Sequence, residues 1–198
     1  RVNGPIPAPV SPSYMWGDAL AEIERAAPDL RIVNLETAVT TSDAAWPGKG
    51  IHYRMHPANV ACLRAARIHC CVLANNHVLD WGRAGLLDWG GNWGLEVPHA
   101  HRAFAHRLIE LGAADVVHGH SSHHPLCIEV HRGKLILYGC GDLINDYEGI
   151  GAHGTLRSDV GCLYFATIGA GGAALQRLDI VPLQLKRFRL CAADAQAR

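Results

Sequence analysis

The chain has 198 residues, of which 49% are hydrophobic, and 18 lysines and arginines balance 18 aspartates and glutamates. This length predicts a single domain, residues 1–198, with one sizeable core. The balanced charge gives no electrostatic reason to bind nucleic acid or an anionic membrane surface. No apolar run approaches the roughly 18 residues of a membrane span.

The histidine and cysteine content indicates which kinds of chemistry and which cellular compartment to expect. The 13 histidines cluster late in the chain and favour metal or proton chemistry. The seven cysteines include no CxxC pair, and Cys70, Cys71 and Cys162 are expected to be small core residues in a reducing compartment. We therefore expect a cytoplasmic protein. Because the sequence starts at Arg1 without methionine, a processed extracytoplasmic protein stays open as the alternative.

The first half of the chain alternates predicted helices and strands. Asp18 as N-cap and Pro57 in a first turn mark helix starts, and short apolar runs mark strands. After an irregular segment over 1–17, the predicted elements are a helix over 19–27, a strand over 30–33, a helix over 57–66, a strand over 70–74 that is buried on both faces, and a short helix start over 80–88.

The second half is predicted to be mostly antiparallel strand. A helix over 98–111, followed by Gly112 as C-cap, precedes it. The buried stripe of this helix is expected to consist of Ala103, Phe104, Leu108 and Leu111. Strands are predicted over 114–117, 127–130, 135–138, 162–168, 175–181 and 183–190. This mix predicts an α/β sandwich with its loops gathered at one edge.

Polar residues follow three of the predicted strands. Glu36 follows the first, Asn76 and His77 the second, and the segment His118 to His124 the third. Ligands bind at the carboxyl ends of strands in open α/β sheets, so these residues occupy the expected site position. Each also has a structural alternative, namely a capping carboxylate, an Asn/His-rich turn and a strand-end histidine.

A carboxylate, an amide oxygen and several imidazoles form a mixed N/O ligand set. Such a set suits divalent Mn, Fe or Zn, either alone or as a bridged pair, and nothing in the sequence indicates an organic cofactor. Glu36 is the natural bridging ligand. His77 is placed to protonate a leaving group.

Several loops should border the same edge and contact a substrate. Arg54 is expected to pair with a substrate carboxylate or phosphate, with His52, Trp93 and Tyr147 beside it. The alternative is that the aromatic side chains merely cover the sheet edge.

Five motifs occur in order along the chain: Asn34-Leu-Glu36-Thr, Leu73-Ala-Asn-Asn-His-Val-Leu-Asp80, Trp89-Gly-Gly-Asn, Gly119-His-Ser-Ser-His-His-Pro125 and Leu137-Tyr-Gly-Cys-Gly-Asp142. Together they resemble the CapA-type family, named for poly-γ-glutamate capsule synthesis, within the calcineurin-like metallophosphoesterase superfamily. The resemblance extends over about 30–190.

The resemblance implies a four-layer α/β/β/α sandwich of the metallo-dependent phosphatase type. By motif position it implies Glu36 as bridging carboxylate, Asn76 as metal ligand and His77 as the acid/base imidazole. His120 and His123 would be further ligands. The implied substrate is a peptide, a polyglutamyl chain or a phosphoester.

Two departures from the family pattern predict missing segments. Members usually begin with a strand that ends in Gly-Asp, and a ligand histidine usually precedes Trp-Gly-Gly-Asn; no such aspartate is present here, and Asp88 stands before Trp89. A predicted helix also runs directly into a strand-end loop at this point. We therefore expect that the chain lacks one segment in or before 1–17 and a longer one near 88–89.

Three functions are compatible with these residues. The first is a metal-dependent hydrolase. The second is a cofactor-free peptide Cα epimerase, as found for similar proteins in peptide natural-product pathways, in which His77 or His120 opposite a carboxylate exchanges a proton. The third is a non-catalytic subunit of capsule polymer synthesis or export.

Overall fold

A mixed α/β fold is present in the computed structural model of the chain, which describes residues 3–73, 75, 77, 80–81, 94–120, 122–145, 156–171 and 174–194. In these ranges the α-helices are α1 (Ala19–Ala26), α2 (Ala61–Ala65) and α3 (His99–Glu110), and 3-10 turns span Tyr14–Trp16 and Pro57–Val60. The helices predicted at 19–27, 57–66 and 98–111 are thus confirmed. The predicted helix start over 80–88 lies mostly outside the described residues.

Parallel pairing dominates the first half and antiparallel pairing the second. The described strands are β1 (Ile32–Asn34), β2 (Ala38–Val39), β3 (Arg54–Met55), β4 (Cys70–Val72), β5 (Val116–His118), β6 (Ile128–His131), β7 (Lys134–Leu137), β8 (Val160–Ile168), β9 (Leu175–Lys186) and β10 (Arg189–Ala192). They pair as β1–β4 and β2–β3, both parallel, as β5–β7–β6, and as β10–β9–β8. The predicted hairpins β6–β7 and β8–β9 are confirmed. The four-layer arrangement and the single domain stay predictions.

Two groups of buried side chains hold these elements together. Trp16 packs with α1, α2 and the β9–β10 hairpin, and its indole N–H donates to the Cys62 carbonyl at 2.8 Å. The second group joins the inner face of α3 to Ile136 and Tyr138, at the carboxyl end of β7. This second group supports the β5–β7–β6 sheet, from which the late histidines emerge.

The predicted buried stripe of α3 is wrong. Phe104 and Leu111 are 49% and 61% exposed, whereas Ala105 and Ile109 are 1% and 4% exposed. An i, i+4 pair is enough to contact the sheet, and the neighbouring face is occupied by polar contacts to β6. Periodicity alone favoured the larger Phe104.

The predicted last strand over 183–190 is also wrong. Strand β9 continues to Lys186, and β10 begins only at Arg189. Arg187 and Phe188 between them have φ values of +52° and +59°, so they form the centre of a tight hairpin turn. Such turns usually carry Gly, Asn or Asp, and their absence here hid the turn.

Three smaller expectations need correction. The Asp18 carboxylate makes no N-cap hydrogen bond to α1; it accepts the Ala192 N–H at 2.8 Å and joins the helix start to β10. Cys70 is exposed, and Cys71 and Cys162 are only partly buried. Strand β4 is not buried on both faces, because Cys70 is exposed and Cys71 and Val72 are only partly buried.

Candidate metal and acid/base site

The strand register brings two of the predicted polar strand ends together. Asn34 lies opposite Val72 in the parallel β1–β4 pair, so the chain leaves both strands at the same edge. The buried Asn75 amide nitrogen donates to the Asn34 side-chain oxygen and to the Leu35 carbonyl, both at 3.1 Å. This buried amide therefore fixes the loop that carries Glu36 against the loop that carries His77.

Glu36 also meets the third strand end. Its carboxylate accepts a hydrogen bond from Asn34 at 2.9 Å, and the same oxygen lies 4.0 Å from Nδ1 of His120, which follows β5. That imidazole nitrogen is buried and has no hydrogen-bond partner among the described residues. A buried polar atom without a partner is costly, and a metal ion beside Glu36 would satisfy it.

His123 is oriented by a carboxylate. Its Nδ1 lies 2.9 Å from Asp142, which also accepts a hydrogen bond from Asn145 at 3.0 Å. The hydrogen bond to Asp142 raises the pKa of His123 against the opposing effect of burial, and the negative charges of Asp142 and Glu36 add to the increase. Metal-binding histidines commonly hold a carboxylate through the other ring nitrogen. Glu36, His120, His123 and Asp142 are called the strand-end cluster below.

His77 belongs to a neighbouring polar group. Its backbone N–H donates to Asn75, and its Nδ1 lies 2.8 Å from the carboxylate of Asp80. Asp80 is fully buried and also accepts bonds from Lys49 and from the Tyr53 backbone N–H. Burial alone would raise the pKa of Asp80, but the Lys49 and His77 hydrogen bonds outweigh it and lower the pKa. The ionised carboxylate orients His77 and leaves Nε2 for proton exchange.

The predicted substrate side chains have local partners. Arg54 pairs with Asp43 at 2.7 Å and lies over the Trp81 ring at 4.6 Å. His52 is bonded to the Trp46 carbonyl at 2.9 Å. Arg54 is thus held by groups of this chain, and its role toward a substrate stays a prediction. Asn76, Trp93 and Tyr147 lie outside the described residues.

Sequence reasoning assigned no role to three residues that organise the site. Asn75 stands beside the predicted ligand Asn76 but is itself the amide that ties the two strand ends together. Asp80 lies three residues after His77, a spacing that can place a carboxylate beside an imidazole on one turn. Asp142 is distant in sequence from His123, so no local signal could have paired them.

The donors of the strand-end cluster fit a divalent ion. Glu36, His120 and His123 offer one carboxylate and two imidazoles, a set that suits Mn, Fe or Zn. The lack of a partner for His120 Nδ1 among the described residues is consistent with a ligand role. These donors are not drawn together as a tight trio. Among the described residues, the three groups whose ligand atoms all lie within 4.8 Å of one another are His106, Glu129 and His131, on α3 and β6.

Comparison with known proteins defines the class. A family model described as bacterial capsule synthesis protein PGA_cap matches residues 2–88 and 86–147. The chain belongs to this family, as the resemblance to CapA-type proteins predicted. It is 34% identical over 289 residues to proteins called "Probable polyglutamine synthesis accessory protein" from two Mycobacterium tuberculosis strains, CDC 1551 / Oshkosh and H37Rv, covering 98% of this chain and 76% of each relative.

The lengths and positions of these alignments are relevant to the segment that the sequence predicts to be missing near 88–89. The aligned region of the relatives, 289 residues, is longer than this whole chain of 198 residues. The relatives therefore contain residues between the matched ends that have no counterpart here. The two family matches meet at 86–88, beside the predicted junction at 88–89. None of the described helices is both long and apolar enough to cross a bilayer.

Proposed function

We propose that this chain is a metal-dependent hydrolase that cleaves a polyglutamyl or other peptide chain at the strand-end cluster, with a phosphoester as the second substrate class. The observation that carries the proposal is the position of His120: its buried Nδ1 faces the Glu36 carboxylate and has no hydrogen-bond partner in the part of the chain that the structure describes. The relatives are named for polyglutamine synthesis and the family for bacterial capsule synthesis, so an amide-linked chain of glutamate or glutamine residues is the substrate class that we expect here. Glu36, His120 and His123 would hold the ion, with Asn76 as the further ligand that the family resemblance implies.

The chain's own residues would divide the work. A bound divalent ion supplies Lewis-acid polarisation of a carbonyl or phosphoryl oxygen. Asp142 keeps the His123 ring in one orientation, and Asn34 does the same for the Glu36 carboxylate. Water would supply the attacking oxygen as the C–N or P–O bond breaks. His77, held through Nδ1 by Asp80, would take a proton from this water and deliver it from Nε2 to the departing nitrogen or oxygen.

The positions of the two family matches support the proposal that this domain lacks a segment that its relatives contain. A segment that the relatives carry between the two family matches would be absent near 88–89. In that case the ion rests on fewer protein ligands than in longer members, and we expect weaker metal binding. Activity would then depend on the concentration of added metal.

The test combines metal removal with matched variants. The full chain is stripped of metal and incubated with poly-γ-glutamate, and new chain ends are counted with and without added Mn²⁺. We expect activity only with metal, a loss of about 100-fold or more in Glu36→Gln and His77→Ala, and no change in His99→Ala, which alters an exposed histidine of α3. Full cleavage activity after metal removal would exclude a metal-dependent hydrolase. Absence of any cleavage would favour the accessory, non-catalytic role.

A peptide epimerase is the second candidate, because two imidazoles at this edge are each held by a carboxylate, His77 by Asp80 and His123 by Asp142. Proton exchange at a Cα atom needs an acid/base group on each face of the carbon. Incubation with peptide in heavy water distinguishes the two reactions. Deuterium at one Cα without cleavage would establish the epimerase, and its absence would exclude it.

A further inference from the structure

We propose a second metal site, separate from the strand-end cluster, in which His106 and Glu110 of α3 and Glu129 and His131 of β6 bind a zinc-class divalent ion. These four side chains are called the α3–β6 cluster. The site does not depend on the proposed hydrolase activity.

In the α3–β6 cluster each imidazole faces a carboxylate across the gap between α3 and β6. The His106 and His131 rings are stacked, with centroids 3.9 Å apart and planes only 5° from parallel. His106 Nε2 lies 2.7 Å from Glu129, and His131 Nε2 lies 3.2 Å from Glu110. Tetrahedral zinc, with bonds of about 2.1 Å, needs ligand atoms roughly 3.4 Å apart. The ligand atoms of His106, Glu129 and His131 lie within 4.8 Å of one another, and Glu110, 3.2 Å from His131, would be the fourth ligand. Binding would require these atoms to move closer together and one ring to turn out of the stack, because imidazole lone pairs lie in the ring plane.

Surrounding groups hold the Glu129 carboxylate in place. Its Oε2 accepts a hydrogen bond from the Tyr138 hydroxyl at 2.8 Å and lies 3.3 Å from Arg102. Its Oε1 is the oxygen that faces His106. Outer contacts of this kind orient a ligand and leave one oxygen directed at the ion.

The donors and charges select the kind of ion. Arg102 lies 3.3 Å from Glu129 and Arg132 lies 3.6 Å from Glu110, so each carboxylate is already balanced by a cation. Attraction of a hard dication by net charge is therefore weak, and affinity must come from the two imidazoles. Imidazole suits zinc, copper and nickel, whereas magnesium and calcium prefer oxygen.

The position of the α3–β6 cluster indicates a structural role. Four protein ligands fill a tetrahedral zinc sphere, as in structural zinc sites, and leave no position for a substrate. The ion would join α3 to β6, an outer strand of the β5–β7–β6 sheet. Because β5 leads into His118 and His120, a clamp on this sheet would also steady the strand-end cluster.

Zinc titration of the full chain tests the proposal, with a competing chelator and in a Glu36→Gln/His123→Ala background that removes the strand-end ligands. We expect one zinc ion to bind in this background. His106→Ala and His131→Ala should weaken it by about 100-fold, and His99→Ala should leave it unchanged. Magnesium should not compete.

Arg132→Ala provides a control that should strengthen zinc binding, whereas the histidine variants should weaken it. This exposed arginine is a competitor for Glu110 and not a ligand, so its removal should tighten zinc binding several-fold without removing any ligand. The proposal is overturned if the background binds no zinc, or if His131→Ala and Arg132→Ala both bind it as the background does. It would stand independently of whether the hydrolase assay succeeds.

Discussion

At the residue scale, Asp80 is a buried carboxylate that holds the His77 ring in place. It is fully buried and accepts hydrogen bonds from Lys49, His77 and the Tyr53 backbone. We expect Asp80→Asn to lower the free energy of unfolding at pH 7 by about 2–4 kcal/mol, because the replacement removes a buried carboxylate that accepts hydrogen bonds from three groups. Chemical denaturation of the two proteins measures the difference.

The same carboxylate predicts a pH dependence. Its pKa is lowered in the folded state, so the stability it contributes is complete above the unfolded-state pKa of about 3.9 and is lost as the pH falls through the lower folded value. The stability gap between wild type and Asp80→Asn should therefore shrink as the pH falls below about 4. A gap that stayed constant down to pH 2.5 would show that Asp80 is not the ionised partner described here.

At the scale of elements, the loop after β5 returns closely against the end of β7. A Cβ atom added at Gly139 would lie 2.1 Å from Ser122 Oγ and 2.9 Å from the Leu126 side chain. Ser122 precedes His123 and is 4% exposed. Gly139 therefore lets the loop with the late histidines approach the strand, and no side chain fits between them.

Gly139→Ala tests this close approach. Overpacking of a buried contact costs about 1–3 kcal/mol, and the displaced Ser122 segment should also weaken metal binding at His120 and His123. Gly50→Ala is the matched control, because no atom lies within 4 Å of its Cβ position and its stability should change by less than about 0.5 kcal/mol. Equal melting temperatures for the two variants would contradict the packing described here.

At the scale of the whole molecule, the two buried groups should unfold together if residues 1–198 form one domain. Leu190 lies in the group around Trp16, and Ile136 lies in the group behind α3; both are 0% exposed. Each truncation to Ala should lower the same single thermal transition by about 2–5 kcal/mol of stability. Two separate transitions, each sensitive to one variant, would show two folding units.

Much of the site's location could be predicted from the sequence, because parallel strands place their carboxyl ends at one edge. This rule alone placed Glu36 near the loop of Asn75 and His77, and the β1–β4 register confirms that proximity. Pro98 in the first turn and Gly112 after the last turn likewise predicted where α3 begins and ends. Both signals are local patterns that survive folding unchanged.

The features that could not be predicted depend on tertiary contacts or unusual turns. His123 contacts Asp142 and His106 contacts Glu129 at sequence separations of 19 and 23 residues. No local spacing rule pairs side chains that far apart. The Arg187–Phe188 turn lacks the residues that normally mark one. The face of α3 is decided by its polar partners on β6, and hydrophobic spacing alone therefore selected the wrong side.

The most direct measurement of the central claim is mass spectrometry of poly-γ-glutamate incubated with the Mn²⁺-loaded full chain in ¹⁸O-water. Amide hydrolysis at the strand-end cluster predicts one ¹⁸O atom in each new carboxyl group, with the label absent in Glu36→Gln and retained in His99→Ala. A polymer recovered intact and unlabelled, or label incorporated equally by wild type and Glu36→Gln, would contradict a hydrolase that uses Glu36, His120 and His123.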